Sequence, residues 1–167
     1  MNEALRSKLL MFTGVGALLM FAAMQVVLRD LSPNVVVLQL CFTPEAFRQV
    51  LNAWQQSGID AYRHHFPYDF AFLAFYGSFG YVLGSNSNVA PGISARLMGY
   101  LKWALPVAAG FDVCENMAHL VMLSSDASIT PGFVAMSGVF SLLKWFLAVG
   151  FVAVIGVSRL ARWRWRA

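Results

Sequence analysis

The chain has 167 residues, of which 59% are hydrophobic and only 12% charged, with a formal net charge of +4. A soluble domain carries about 25% charge, so the composition excludes an ordinary soluble enzyme or binding module, and the length sets a single domain, residues 1–167. The positive charge does not mark a nucleic-acid partner, because the basic residues sit at the tips of apolar runs, where they orient a membrane protein.

The first apolar run, residues 9–28, follows Arg6 and Lys8. A signal peptide has the same charge order but a shorter apolar region and a small-residue cleavage site. Here the run ends in Met24-Gln25-Val26-Val27-Leu28-Arg29, so a retained span is expected. The second run, residues 67–83, opens at Pro67, which suits the first turn of a helix. Gly84-Ser85-Asn86-Ser87-Asn88 closes it as a polar turn. The third run, 99–123, contains Pro106 as an expected kink. The fourth, 133–157, is opened by Thr130-Pro131-Gly132. Four spans of about 20 residues match a hydrocarbon core of about 30 Å.

Lys and Arg cluster before the first span, around Arg96 and Lys102 before the third, and in the tail Arg159, Arg162, Trp163, Arg164, Trp165, Arg166. The loop after the third span has Asp126 and no basic residue. Placing all three clusters inside predicts an all-α, four-helix transmembrane bundle with both termini cytoplasmic, in the inner membrane of a bacterium. The tail reads as an interfacial anchor, with tryptophans at headgroup level and arginines on anionic lipid.

Residues 29–66 form the expected extracytoplasmic loop. Val35 to Phe42 is a short apolar run open to either a strand or a membrane-surface segment. Thr43-Pro44-Glu45 starts a helix, with Thr43 as cap. Phe47, Val50, Leu51 and Trp54 then repeat at i, i+3, i+4 and i+7 and give that helix one apolar face, with Gly58 as its expected end. It is expected to lie on the outer membrane surface or to cap the bundle. Cys41 falls in this loop and Cys114 inside the third span, so a disulfide between them is not expected. The absence of CxxC argues against a thiol-oxidising membrane enzyme.

The informative residues are polar groups within the apolar runs. Asp112, Glu115, Asn116 and His119 fall at offsets 0, 3, 4 and 7, on one face of the third helix. Ser137, Ser141 and Lys144 share a face of the fourth, and Asp69 and Tyr76 lie seven apart on the second. Measured from the outer ends, the rise per residue puts Asp112 and Lys144 both near the midplane, roughly 16–18 Å deep, so they are expected to pair. Facing lipid singly, Asp112, Glu115 and Lys144 would cost about 2.5–3.5 kcal/mol each. Glu115 is left without a lysine and is expected to be protonated, bonded to Tyr76 or His119, or holding a cation.

Glu115, Asp112 and His119 are the candidate catalytic groups, suited to acid–base work. Asp69, Tyr76, Asn116, Ser137, Ser141 and Lys144 are the candidate ligand-binding groups. His64 and His65 precede the second span and, with Glu115 and His119, supply metal-ligating side chains, but the H-E-x-x-H zinc helix is absent and no metal is assigned. Neither Ser137 nor Ser141 sits in a nucleophile elbow. The aromatics of the second run, Phe66 to Tyr81, occupy every face and read as packing and belt. No cofactor is indicated. The plan, four helices with Asp112 and Glu115 within the membrane, is similar to that of the emopamil-binding and sigma-2-receptor-like family.

The expected function is binding, or acting on, a lipid-like or hydrophobic ligand in a polar pocket open to the outer leaflet. A proton- or cation-coupled transporter component is the alternative, and needs a homo-oligomer, since four helices are few for a transporter. A non-catalytic accessory subunit of a larger membrane complex is the other alternative, with the polar groups serving as interhelical glue. Membrane lipid is the partner common to all three.

Overall fold

The computed structural model describes residues 2–86, 89, 90 and 92–164. Ser87 and Asn88 of the expected polar turn, and Trp165 and Arg166 of the expected anchor, lie outside them. The described residues are all helical apart from turns and loops, with no strand among them. The elements are α1 (Glu3–Leu28), α2 (Val35–Gln39), α3 (Pro44–Gly84), α4 (Ala95–Ser124), a 3-10 turn at Asp126–Ser128, and α5 (Pro131–Arg164).

Local capping explains most of the starts. Asn2, Asn34, Thr43 and Ser94 each accept a backbone N–H of the first turn of α1, α2, α3 and α4. At α2 the cap settles the open choice at 35–42, since Asn34 initiates a helix there and Leu38 plugs it into the core. Within α1, the Thr13 hydroxyl donates to the Leu9 carbonyl at 2.7 Å, which hides its polarity in the helix itself.

α3 departs most from the sequence pattern. Its amphipathic limb breaks at Gln55, which has φ 55° and ψ −175°, and the chain resumes helix at once to Gly84. Gly58 therefore does not end the limb. It lies inside the second limb, where an added Cβ would sit 2.7 Å from Trp54 Cβ and 3.0 Å from Leu31 Cδ2, so glycine is needed for the limbs to fold back on each other. Pro67 likewise lies inside the helix rather than in its first turn, and Pro106 lies inside α4, which carries no non-helical residue.

The amphipathic limb caps the helix ends. Phe47, Val50 and Trp54 are buried with Leu38, Cys41, Tyr62, Phe66, Met122 and Val134 in one apolar cluster. Trp54 Nε1 donates to the Pro33 carbonyl at 2.6 Å. Arg48 Nε donates to Asp126 Oδ1 at 2.9 Å, and Arg63 Nη2 to the Leu123 carbonyl at the end of α4. Cys41 and Cys114 are both free. Burial pushes the Cys41 thiol up, and its Sγ donates to the Val37 carbonyl, so it packs as a small apolar group.

The long helices run alternately up and down and pack in the order α1, α3, α4, α5. α3 and α4 approach closely at Gly84, where an added Cβ would lie 2.7 Å from the Cα of Lys102. A second apolar cluster, Ala90, Leu101, Leu105 and Phe151, closes the opposite end. α1 and residues Pro131–Trp163 of α5 are long and apolar enough to cross a membrane. Large apolar side chains cover the exterior, among them Met11, Leu18, Trp103, Phe146 and Val152, each more than half exposed. Asp69, Asp112, Glu115 and Lys144 are buried, where a soluble domain rarely places charged side chains.

Candidate functional site

Between the two apolar clusters lies a polar layer. The α4 face brings Asp112, Glu115, Asn116 and His119 inward, all buried. α5 meets it with Ser137, Ser141 and Lys144, and α3 with His65 and Asp69. Helical spacing alone accounts for each set, because residues three, four and seven apart share one face.

Lys144 is the hub. Its Nζ donates to Asp112 Oδ1 at 2.6 Å and stands 2.7 Å from Glu115 Oε2. The expectation that Glu115 lacks a lysine is corrected: one ammonium serves both carboxylates, because Asp112 and Glu115 lie one turn apart and Lys144 reaches between them. The contact with Glu115 is a close ion pair within the α4–α5 interior. Two carboxylates on one buried lysine need it to stay charged, since an unpaired buried charge costs several kcal/mol.

The other polar groups form pairs across α3 and α4. Asn116 Nδ2 donates to Asp69 Oδ2 at 2.7 Å. The Tyr62 hydroxyl and His119 Nδ1 share a hydrogen bond at 2.6 Å, so the partner of His119 is neither Glu115 nor Tyr76. The Nδ1–H of His65 donates to the Tyr62 carbonyl, and its Nε2 faces Asp69 Oδ2 at 3.7 Å. The Ser137 hydroxyl is spent on the Val134 carbonyl of its own helix at 3.0 Å.

A cavity of about 530 Å³ opens beside this layer. Its polar wall is His65, Asp69, Tyr76, Asp112 and Lys144. Its apolar wall is Phe21, Met24 and Leu28 of α1, Val35 and Val36 of α2, Phe72 of α3, and Trp145 and Ala148 of α5, with Gln25 and Gln39 beside them. α1 packs on α3 and α5 on α4, and both α1 and α5 contribute to the cavity wall, where the rings of Phe21 and Trp145 are also exposed on the outside. Glu115, Asn116, His119, Ser137 and Ser141 do not line the cavity; they lie behind Asp112 and Lys144 in the α3–α4–α5 interior.

The four metal-ligating side chains are not gathered. His64 is exposed and bonds the Asp60 carbonyl, whereas His65, Glu115 and His119 are engaged with Asp69, Lys144 and Tyr62. No cluster of three or more metal-ligating side chains occurs among the described residues.

Tyr62, Gln25 and Gln39 are the site residues that the sequence did not single out. Tyr62 lies seven residues before Asp69, and Asp69 seven before Tyr76, so one stripe runs through all three and His65. Starting the helix at Pro67 hides its first half. Gln25 is an amide within an apolar run, a signal of the same kind as Asp112. No family model, no curated protein and no solved structure matches the chain.

Proposed function

We propose that the protein is a four-span membrane protein with both termini on the cytoplasmic side, and that its cavity takes a hydrophobic ligand by its polar head. The observation that carries this reading is the division of the cavity into one charged and one apolar wall. A ligand with a polar head and an apolar body satisfies both walls at once, and about 530 Å³ falls within the range of small-molecule pockets, roughly 300–1,000 Å³. The lining rings Phe21 and Trp145, which are also exposed on the outside, belong to the two apolar helices α1 and α5, which supports entry of such a ligand sideways from the hydrocarbon.

The burial of Asp69, Asp112, Glu115 and Lys144 beneath an apolar exterior supports four spans. α4 has 30 residues and α3 continues unbroken from 56 to 84, each long enough for a core of about 30 Å. Both are less apolar than α1 and α5 because they carry the inward ionisable groups, which intramembrane sites require. The cap of α2 and the amphipathic limb of α3 then lies at the outer surface, opposite the basic clusters.

In this reading Asp112, Asp69 and Lys144 contact the head of the ligand, while Glu115 and His119 hold the frame. Native mass spectrometry of detergent-purified protein tests it. The expected result is a co-purified small molecule of lipid-like mass, lost in Ala148→Trp, which fills the cavity from α5. A wild-type protein that carries none when extracted gently, or an Ala148→Trp protein that retains it, refutes the reading.

A further inference from the structure

We infer that the outward groove between α3 and α4 binds an anionic phospholipid, with its phosphate on Lys102 and an acyl chain along Gly77, Val82 and Pro106. The groove, of about 390 Å³, is lined by Gly77, Ser78, Tyr81, Val82, Trp103 and Pro106 and shares no residue with the cavity. The proposal rests on the four-span reading, which gives this groove a lipid environment.

The shape comes from the glycine seam. An added Cβ at Gly77 would lie 3.3 Å from Ala109 Cβ, so the helices meet closely there and their larger side chains stand to either side of a shallow channel. Tyr81 and Trp103 form one bank, ring centroids 5.1 Å apart and edge to face. Gly77, Val82 and Pro106 offer an acyl chain apolar contact, and Ser78 lines the same channel at an exposed position.

The charge selects the head. Lys102 Nζ lies 4.6 Å from the centroid of Tyr81 and 5.8 Å from that of Trp103, held in place by the ring faces. It makes no ion pair among the described residues. No acidic residue occurs between Asp69 and Asp112, the stretch of the α3–α4 hairpin that holds Arg96 and Lys102. Tyr81 is three residues from the end of α3, at the same end of the molecule as Arg6 and Lys8. Aromatic rings and a lysine at that level match the headgroup region of a leaflet rich in anionic lipid.

The test is native mass spectrometry in detergent with dioleoylphosphatidylglycerol and dioleoylphosphatidylcholine offered together. Wild type is expected to retain the anionic lipid preferentially. Lys102→Gln should reduce that preference about fivefold, the change expected when one cation leaves an anionic headgroup, whereas Lys102→Arg should keep it. Ser78→Leu, at an exposed position, should cut binding by filling the channel with the charge intact. Lys8→Gln, a basic residue at the same end but away from the groove, should change nothing. An unaltered preference in Lys102→Gln, an equal loss in Lys8→Gln, or full displacement by millimolar inorganic phosphate overturns the proposal. Protein that stays monodisperse without detergent refutes the membrane reading itself, whereas a detergent-requiring protein without lipid preference refutes the groove alone.

Discussion

Lys144 stands between two sets of polar residues that differ in what they can reach. On its cavity side, Asp69 and Asp112 are 7% and 8% exposed, and His65 and Tyr76 stand beside them. Behind it, Glu115, His119 and Ser141 are 0% exposed, enclosed by α3, α4 and α5. Both sets are buried by any ordinary measure, and both sit on the same helical stripes. The few per cent separate a group that can meet a ligand from one that can only meet its neighbours. The polar layer is thus part surface and part frame, and Lys144 joins the two, its one ammonium holding Asp112 on the cavity side and Glu115 in the frame.

Breaking the hub should affect both sides. Lys144→Met leaves Asp112 and Glu115 as uncompensated neighbours, and a loss of about 3–5 kcal/mol is expected. Its signature is a collapse of the melting temperature in detergent, partly restored when Glu115→Gln is added. A Lys144→Met protein as stable as wild type would mean that the carboxylates are already neutral and the pair contributes nothing.

Tyr62→Phe acts on the frame alone. It leaves His119 Nδ1 without its partner at a cost of about 1–3 kcal/mol, visible as a lower melting temperature with ligand retention unchanged. Asp69→Asn acts on the cavity side: it keeps the shape and an acceptor for Asn116, so stability should fall less than in Tyr62→Phe while the co-purified ligand is lost. If these two variants exchanged phenotypes, the division of the layer would be wrong. The smallest effect is expected at the exposed Arg48–Asp126 pair. There Arg48→Gln should lower the melting temperature slightly at low salt and less at high salt.

Much of the frame was legible in the sequence. The apolar runs locate α1, α4 and α5, the 0, 3, 4, 7 spacing locates the inward face of α4, and equal rise brings Lys144 to Asp112. The start of α3 at Thr43 and Pro44 was legible, but the join of its two limbs was not, because two punctuating residues mislead. Gly58 marks a close approach rather than an end, Pro67 is accommodated mid-helix, and the true break falls on Gln55, a residue type without a local turn signal. With the start of the second limb misplaced, Tyr62 and His65 fall off the stripe they share with Asp69. The cavity was invisible for a different reason. Its apolar wall is built from α1, α2 and α5 with Phe72 of α3, and an apolar side chain facing a cavity reads the same as one facing lipid. Only the amides of Gln25 and Gln39 break that uniformity. The sharing of Lys144 by two carboxylates also depends on side-chain reach, which depth reckoning does not contain.

The most direct test is a high-resolution density map of the protein purified from membranes, inspected between Asp69, Asp112, Tyr76 and Trp145. The account predicts elongated non-protein density with its polar end at Lys144 and its body toward Phe21 and Trp145. A closed cavity, with α1 packed against α5 and no density beyond discrete waters, would contradict it.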